Sequence, residues 1–366
     1  MSKTLIPAAK PLIGRAERKA VDRVLRSGMI AQGPEVAAFE AEFGAHFVQG
    51  RACVAVNSGT AGQHLGQLAA GVGPGDEVIV PSFTFAATGN SVALTGATPV
   101  FVDIEPETYG LDPAAVEKAI TKKTKAIMPV HLYGHPARMV ELEALAQKHG
   151  LEIYEDAAQA HGASLNGRPV GTWGRFAMFS LYPTKNMTSG EGGMVACDTP
   201  ELVRAVKLLR NQGQEIQYHN EVVGFNARMT DIHAAIGRVQ LGRVDGWTAT
   251  RQQNAAYLSA GITAVPTPVT APGAVHVFHQ YTVRVADDRD GFVKALRDEH
   301  AVGSGVYYPI PNHRLPSLAP FAPGLDLPET EKAAREVVSL PVHPSLSRRD
   351  LDRIVAAVNA VAGAGA

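Results

Sequence analysis

Two rhythms of apolar residues alternate along this chain. Short runs that are apolar, Glu152 excepted, at Ala52–Val56, Val78–Val80, Pro99–Val102, Ala126–Val130 and Leu151–Tyr154, predict buried strands. Between several of them, Thr60–Ala70, Phe85–Leu94, Pro113–Ile120 and Ala137–His149 carry helical spacing. Strands with no polar face, alternating with helices, predict an α/β fold: a mostly parallel sheet covered by helices on both sides. Two further helices, over 15–26 and Pro34–Phe47, precede the first strand, the second opening after a Gln32-Gly33-Pro34 break.

The pattern changes after Val195. A helix over Pro200–Arg210 leads into a polar loop, Asn211–Asn220, and then a long helical stretch runs from Met229 to about Leu258, lightly interrupted by Gly237, Gly242 and Gly246. Residues 262–274, rich in Pro, Thr and Gly, read as a surface connection. Strands at His276–Val285 and Gly303–Tyr308, a helix over Asp290–His300, a Pro-rich loop at Pro309–Pro328 and closing helices over Glu329–Val337 and Arg348–Val361 predict a smaller α+β domain. With 366 residues to distribute, the chain is expected to form a large domain, 1–245, and a small one, 246–366, joined by the long helix.

Charge narrows the functional classes. Basic and acidic side chains number 34 and 35, so the basic excess on which nucleic-acid or membrane-surface binding rests is missing. The two cysteines, Cys53 and Cys197, sit inside apolar runs without Cys or His at ligand spacing, and read as buried thiols rather than a disulfide framework or metal site. Met1–Leu12 lacks the apolar core of a signal peptide, and no apolar run approaches the roughly 20 residues of a membrane span. A soluble cytoplasmic protein is expected.

In a parallel sheet, ligands gather at the carboxyl ends of the strands. Asn57, Pro81-Ser82-Phe83, Asp103, His131 and Asp156 fall at or just past those ends. At Asn57-Ser58-Gly59-Thr60-Ala61 a strand gives way to a helix, whose first-turn amides and Thr60 hydroxyl suit a phosphate dianion; an ordinary N-cap by Ser58 accounts for the same residues. Asp156 is placed either to cap the next helix or to keep a pyridine nitrogen protonated, and Gln159, three residues on, lies above the same site or on a plain helix face. The stretch Phe176–Val195, FAMFSLYPTKNMTSGEGGMV, sets Lys185 in a glycine-rich turn between two apolar runs. Most lysines in such turns are solvated charges. One that forms an imine and moves protons must instead be desolvated, so that part of it is neutral. Ser180, five residues earlier, is in reach of a phosphate or bonded to backbone; Phe85 is a candidate to stack on an aromatic ring or to fill the core. A lysine, a carboxylate and an anion-binding turn are the parts a pyridoxal phosphate site requires.

In this order, Gln32-Gly33-Pro34, NSGTA (57–61), GPGDEVIVPSFTFAAT (73–88), PVFVDIEPETYGLDP (99–113), PVHLYG (129–134), EDAAQAHGA (155–163), SLYPTKN (180–186), GEGG (190–193) and GFNARMTDIHAAIG (224–237) resemble the DegT/DnrJ/EryC1/StrS family of sugar aminotransferases. These are fold-type-I pyridoxal phosphate enzymes, and the resemblance spans nearly the whole chain. It implies that Lys185 joins the cofactor covalently, Asp156 pairs with its pyridine nitrogen, Gln159 contacts the ring side, Phe85 stacks on the ring, and Thr60, Ala61 and Ser180 hold the phosphate. It also implies a homodimer with shared active sites, in which Asn226 reaches the phosphate of the partner subunit. The implied reaction moves an amino group, usually from L-glutamate, to a nucleotide-linked keto-sugar. The alternatives are a keto-cyclitol acceptor or a regulator that binds the cofactor without turnover. Met187-Thr188-Ser189-Gly190-Glu191 departs from the family's usual Leu-Gly and aspartate after the lysine. One branch of the family replaces the lysine by histidine and performs dehydration, in some members with an iron–sulfur cluster; Lys185 is present and two cysteines cannot supply a four-cysteine cluster, so that branch is not expected. Gln214–Asn220 and Tyr307–His313 either border the acceptor site or are plain surface loops.

Overall fold

The computed structural model describes residues 4–363; residues 1–3 and 364–366, which fall at the outer ends of the two expected domains, lie outside it. Its centre is a seven-stranded sheet. In chain order the strands are β1 (Cys53–Val56), β2 (Glu77–Pro81), β3 (Thr98–Val102), β4 (Thr124–Ile127), β5 (Glu152–Asp156), β6 (Phe176–Ser180) and β7 (Gly193–Cys197). They lie in the order β1-β7-β6-β5-β4-β2-β3, and β7 alone runs antiparallel to its neighbours. The sheet is therefore mixed, built on a parallel majority.

The runs are apolar, Glu152 excepted, because both faces are covered. Along β6, Ala177 and Phe179 join Phe39, Phe43 and Phe47 on one side, whereas Phe176 joins Val54, Leu65 and Tyr154 on the other. The helix Gly59–Ala69 lies close on the second face, where a Cβ at Gly66 would come within 2.6 Å of the Phe176 ring. Glycine there lets backbone and ring meet. At about 1.5–3 kcal/mol for each large apolar side chain removed from water, these two layers are the main force holding the sheet together.

Polar burial fixes the strand ends. The fully buried Glu155 carboxylate accepts the backbone N–H groups of Gly171, Trp173 and Gly174 and faces His131 Nε2 at 3.2 Å. These bonds hold the carboxylate ionised and lock the segment after β5 against the sheet. Asp156, its neighbour in sequence, turns toward the opposite face.

The C-terminal α+β part packs β8 (Tyr281–Arg284) antiparallel to β9 (Val337–Leu340) under helices Arg289–Asp298 and Arg348–Gly363, around Leu258, Tyr281, Leu296 and Ile354. Several expected elements differ from those observed. The long helix divides into Asp231–Leu241 and Val244–Gly261. The break falls at Gly242, where the first helix ends, and Arg243, which precedes the second. The strand expected at His276–Val285 shortens to Tyr281–Arg284, since Phe278 takes a left-handed φ of 43° and bends the chain before it. No strand forms over 303–308. Only Gly305 bridges Ser339, and Tyr308 turns away with φ 60°. Val337 opens a strand rather than closing a helix, and the expected loop at 211–220 contains a hairpin, Gln214–Ile216 with His219–Asn220. None of the described helices is long and apolar enough to cross a membrane.

Candidate active site

The strand order brings the carboxyl ends of β5 and β6 side by side, and with them Asp156 and Ser180. Asp156 is buried. Its Oδ2 accepts the Thr88 hydroxyl at 2.8 Å and its Oδ1 the Ala158 N–H at 3.1 Å. The second bond is a short Asx turn, so the helix-cap alternative survives only as a local turn. Thr84 Oγ1 stands 3.2 Å from Thr88 Oγ1 and completes a buried hydroxyl chain behind the carboxylate.

Lys185 occupies the turn after β6, where its N–H donates to Tyr182 O at 3.0 Å. The side chain is half-buried and enters no hydrogen bond or ion pair among the described residues. Burial pushes its ammonium down to about 8, with the Asp156 charge pulling the other way. A solvated turn lysine would not show this. Two buried histidines adjoin it: His161, pushed down to about 3 by burial and then by Lys185, and His279, pushed down for the same reasons. Both ring nitrogens of His161 lack partners among the described residues.

Gln159 is buried and bolted at both ends. Its Oε1 accepts Tyr133 N–H at 2.7 Å, and its Nε2 donates to Tyr308 Oη at 2.9 Å. Both tyrosines have left-handed backbone, with φ 57° and 60°, a conformation that costs energy and collects at functional sites.

Ser58 caps the helix Gly59–Ala69 by accepting Ala61 N–H at 3.1 Å. The capping reading of that turn holds for Ala61. The Gly59 and Thr60 amides, one turn from any helical carbonyl, remain as anion donors beside the half-buried Thr60 hydroxyl. Ser180 faces them: a Cβ at Gly59 would lie 3.2 Å from Ser180 Cβ and 3.4 Å from its Oγ. Helix N-terminus, bare glycine and serine hydroxyl form a cradle suited to a phosphate dianion. Phe85, which precedes the helix Ala86–Ala93, is 62% exposed, so the core reading of its ring fails. Asn226 is exposed and paired through its backbone with Asn211, with no hydrogen bond to Lys185, Asp156 or Gln159.

Thr84, Thr88 and Tyr133 escaped the sequence reading, and Tyr308 enters it only as part of a segment that borders the acceptor site or is a surface loop, not as a partner of Gln159. For the two threonines a signal exists. In Phe83-Thr84-Phe85-Ala86-Ala87-Thr88 the hydroxyls are four apart, one just before and one in the first turn of the helix Ala86–Ala93.

A family model described as "DegT/DnrJ/EryC1/StrS aminotransferase family" matches residues 11–359. The chain belongs to this family. Among relatives within it, the dTDP-3-amino-3,4,6-trideoxy-alpha-D-glucose transaminase of Streptomyces venezuelae is 45% identical over 350 residues, which are 94% of this chain and 92% of the relative. The crystal structure of S. venezuelae DesV in complex with a ketimine intermediate matches with a TM-score of 0.91 at 42% identity, over 98% of this chain and 99% of that one. The PLP form of the putative sugar aminotransferase Spr1654 from Streptococcus pneumoniae matches with a TM-score of 0.92 at 29% identity, over 98% and 99% of the two chains. With the mixed sheet and smaller C-terminal part, these likenesses identify the fold-type-I architecture of pyridoxal phosphate transferases.

Proposed function

We propose that this family member is a pyridoxal phosphate-dependent aminotransferase that aminates a nucleotide-linked keto-sugar, with L-glutamate as donor, to make an amino-deoxysugar. The observation that carries the proposal is Lys185: a half-buried amine, lowered to about 8, beside a buried carboxylate held by Thr88. Of the relatives named above, one is named as the transaminase of a dTDP-linked amino sugar and Spr1654 as a putative sugar aminotransferase.

The residues fit the cofactor. Lys185 Nζ is the nucleophile for its aldehyde, and the lowered pKa keeps a usable neutral fraction near neutral pH. Asp156 accepts two hydrogen bonds and keeps lone pairs for a protonated ring nitrogen. Gln159, fixed by Tyr133 and Tyr308, borders the ring, and the exposed Phe85 covers it. Thr60 and Ser180, with the Gly59 amide, take the phosphate; Ala61, which the resemblance adds to them, has its N–H donated to Ser58 Oγ and would have to give up that cap to join. When bound, the cofactor supplies an electron sink for the bond broken at the substrate carbon. Lys185 Nζ would hold and move the proton at that carbon, first from donor and later to acceptor.

A homodimer completes the reading. Ile216, Tyr218, Val223 and Phe225 put exposed apolar side chains on and beside the hairpin that precedes Asn226, as a partner-covered surface requires. Asn226 then serves the partner's phosphate. A domain boundary at 245/246 has support from the C-terminal core, which draws on the N-terminal part only through Ile6. The setting is the cytoplasm, where nucleotide-linked sugars are made available to such an enzyme.

Reconstitution with pyridoxal phosphate tests the proposal. Wild type should gain an absorbance band that Lys185→Ala lacks, convert it on adding L-glutamate, and regain it with one member of a panel of nucleotide-linked 3-keto and 4-keto sugars and keto-cyclitols. A cyclitol response would replace the sugar in the reading, and no response to any amino donor would make the chain a regulator.

A further inference from the structure

The Pro-rich segment after Tyr308 returns to the sheet at the end of β2. There Asn312 N donates to Ser82 O at 2.9 Å, His313 N donates to Ser82 Oγ at 3.0 Å, and the same Oγ lies 2.7 Å from His313 Nδ1. Ser82 and His313 are both buried. On the other side of the imidazole, Nε2 is 3.1 Å from Glu331 Oε1.

Proton counting orders this chain. The Glu331 carboxylate only accepts, and Ser82 Oγ, which accepts the His313 amide, still has its own proton to give to Nδ1. The imidazole proton then sits on Nε2 and is donated to the Glu331 carboxylate, which selects that tautomer. Glu331 is itself held. Arg314 Nη2 donates to the same oxygen at 2.6 Å, and the helix Pro328–Glu336 is anchored by Asp103, at the end of β3, which accepts Glu329 N at 3.0 Å and Thr330 N at 2.7 Å. The chain of bonds thus runs from the β3 end, through a helix, to the β2 end.

Ser82 begins the turn that delivers Thr84 to the Thr88–Asp156 chain and Phe85 to its exposed position. Apart from the Thr84–Thr88 contact, the Ser82–His313 pair provides the only side-chain hydrogen bonds of residues 82–85 among the described residues. We propose that His313 is a positioning residue for the cofactor-binding face: through Nδ1 it holds Ser82, and with it the turn that presents Thr84 and Phe85. The inference rests on the reading of the site as a pyridoxal phosphate site.

Two amide substitutions separate the arms of the imidazole. His313→Asn keeps an acceptor near the Nδ1 position and loses Glu331; His313→Gln reaches Glu331 and loses Ser82. Hydrogen exchange of the 82–88 peptide, measured on cofactor-free protein, should speed up in His313→Gln and in Ser82→Ala but stay at the wild-type rate in His313→Asn. Pyridoxal phosphate Kd, followed by absorbance titration, should weaken roughly tenfold in the first two and stay within about threefold in the third, as one lost buried hydrogen bond implies. The double variant His313→Gln/Ser82→Ala should be no worse than Ser82→Ala alone, because Ser82→Ala already removes the Nδ1 bond together with the bond from the His313 N–H. Equal effects of Asn and Gln, or unchanged exchange in Ser82→Ala, would overturn the proposal and leave His313 as packing. If His313→Gln does not fold, His313→Asn set against Ser82→Ala decides: wild-type exchange in the first with faster exchange in the second supports the proposal, and faster exchange in both overturns it. Failure of wild type to bind pyridoxal phosphate would overturn the reading of the site, while the exchange rates would still decide whether His313 holds the turn.

Discussion

Thr88 donates its hydroxyl proton to Asp156 Oδ2 across 2.8 Å, and Thr84 stands directly behind it. A hydroxyl has one proton, so Thr88 can serve the carboxylate only if Thr84 donates to Thr88 in turn. In that order both bonds to Asp156, from the Thr88 hydroxyl and the Ala158 N–H, donate to the carboxylate, which keeps lone pairs to accept a protonated pyridine nitrogen. Asp156→Asn preserves size and removes the charge. We expect it to retain pyridoxal phosphate but to slow conversion by L-glutamate by about 10²-fold or more in single-turnover absorbance. Thr88→Val, which removes one bond to the carboxylate, should cost roughly tenfold in the same assay. A Thr88→Val enzyme at full rate would show that the hydroxyl chain is only structural.

Lys185 has a signature that does not require the cofactor. Its folded pKa, about 8, lies below the ordinary lysine value of 10.5, so between these pH values the unfolded chain binds more protons than the folded one. Stability contributed by this group therefore rises with pH across that window, and below about 8 the full cost of holding the ammonium in the site is present. Lys185→Met should raise the melting temperature of cofactor-free protein at pH 7, by a free energy on the order of 1–3 kcal/mol. The advantage should shrink as pH rises from 8 towards 10. A pH-independent difference in Tm would contradict the assigned burial of the amine.

Ser58 and Thr60 sit two residues apart and should separate cleanly. Ser58 caps its helix, so Ser58→Ala should lower stability by about 1 kcal/mol in urea unfolding. Thr60 forms no side-chain hydrogen bond among the described residues. Thr60→Val should leave the unfolding curve within about 0.5 kcal/mol of wild type. Its effect should appear instead as roughly tenfold weaker pyridoxal phosphate binding, since a hydroxyl on a phosphate oxygen is a charge-assisted bond.

What the sequence made legible follows from these distances. The five runs from Ala52 to Tyr154 are visible because β1 to β5 lie between two helical layers and place apolar side chains, Val54, Ala55, Ile79, Val80, Ile127 and Ile153 among them, on both faces. Lys185, Asp156 and Ser180 are visible because strand ends in such a sheet are where ligands meet. The small domain is less so. β8 pairs with β9 across some sixty residues, Tyr281 opposite Leu340, and the left-handed Phe278 and Tyr308 end extended stretches that the side-chain pattern would continue. Tyr308 reaches Gln159 from 149 positions away and gives no local signal. Phe85 was undecidable between ring stacking and core until its exposure removed the second choice.

Asn226 offers the decisive test of the dimer. It is exposed, its side chain forms no hydrogen bond among the described residues, and nothing within its own chain ties it to Lys185. If it serves the partner's phosphate, a subunit carrying Lys185→Ala and a subunit carrying Asn226→Glu damage different sites when paired. The glutamate brings a like charge against the phosphate, and Lys185→Ala removes the amine, so each homodimer should be inactive. In a mixed dimer both defects fall in one site, and the other combines an intact Lys185 with an intact Asn226. Random pairing places the two chains together in about half of the dimers, so mixing should restore roughly a quarter of wild-type turnover. Each variant alone, at the same total concentration, should remain inactive. Absence of recovery, with mixed dimers verified by differential tags and mass, would place Asn226 and Lys185 in the same subunit's site.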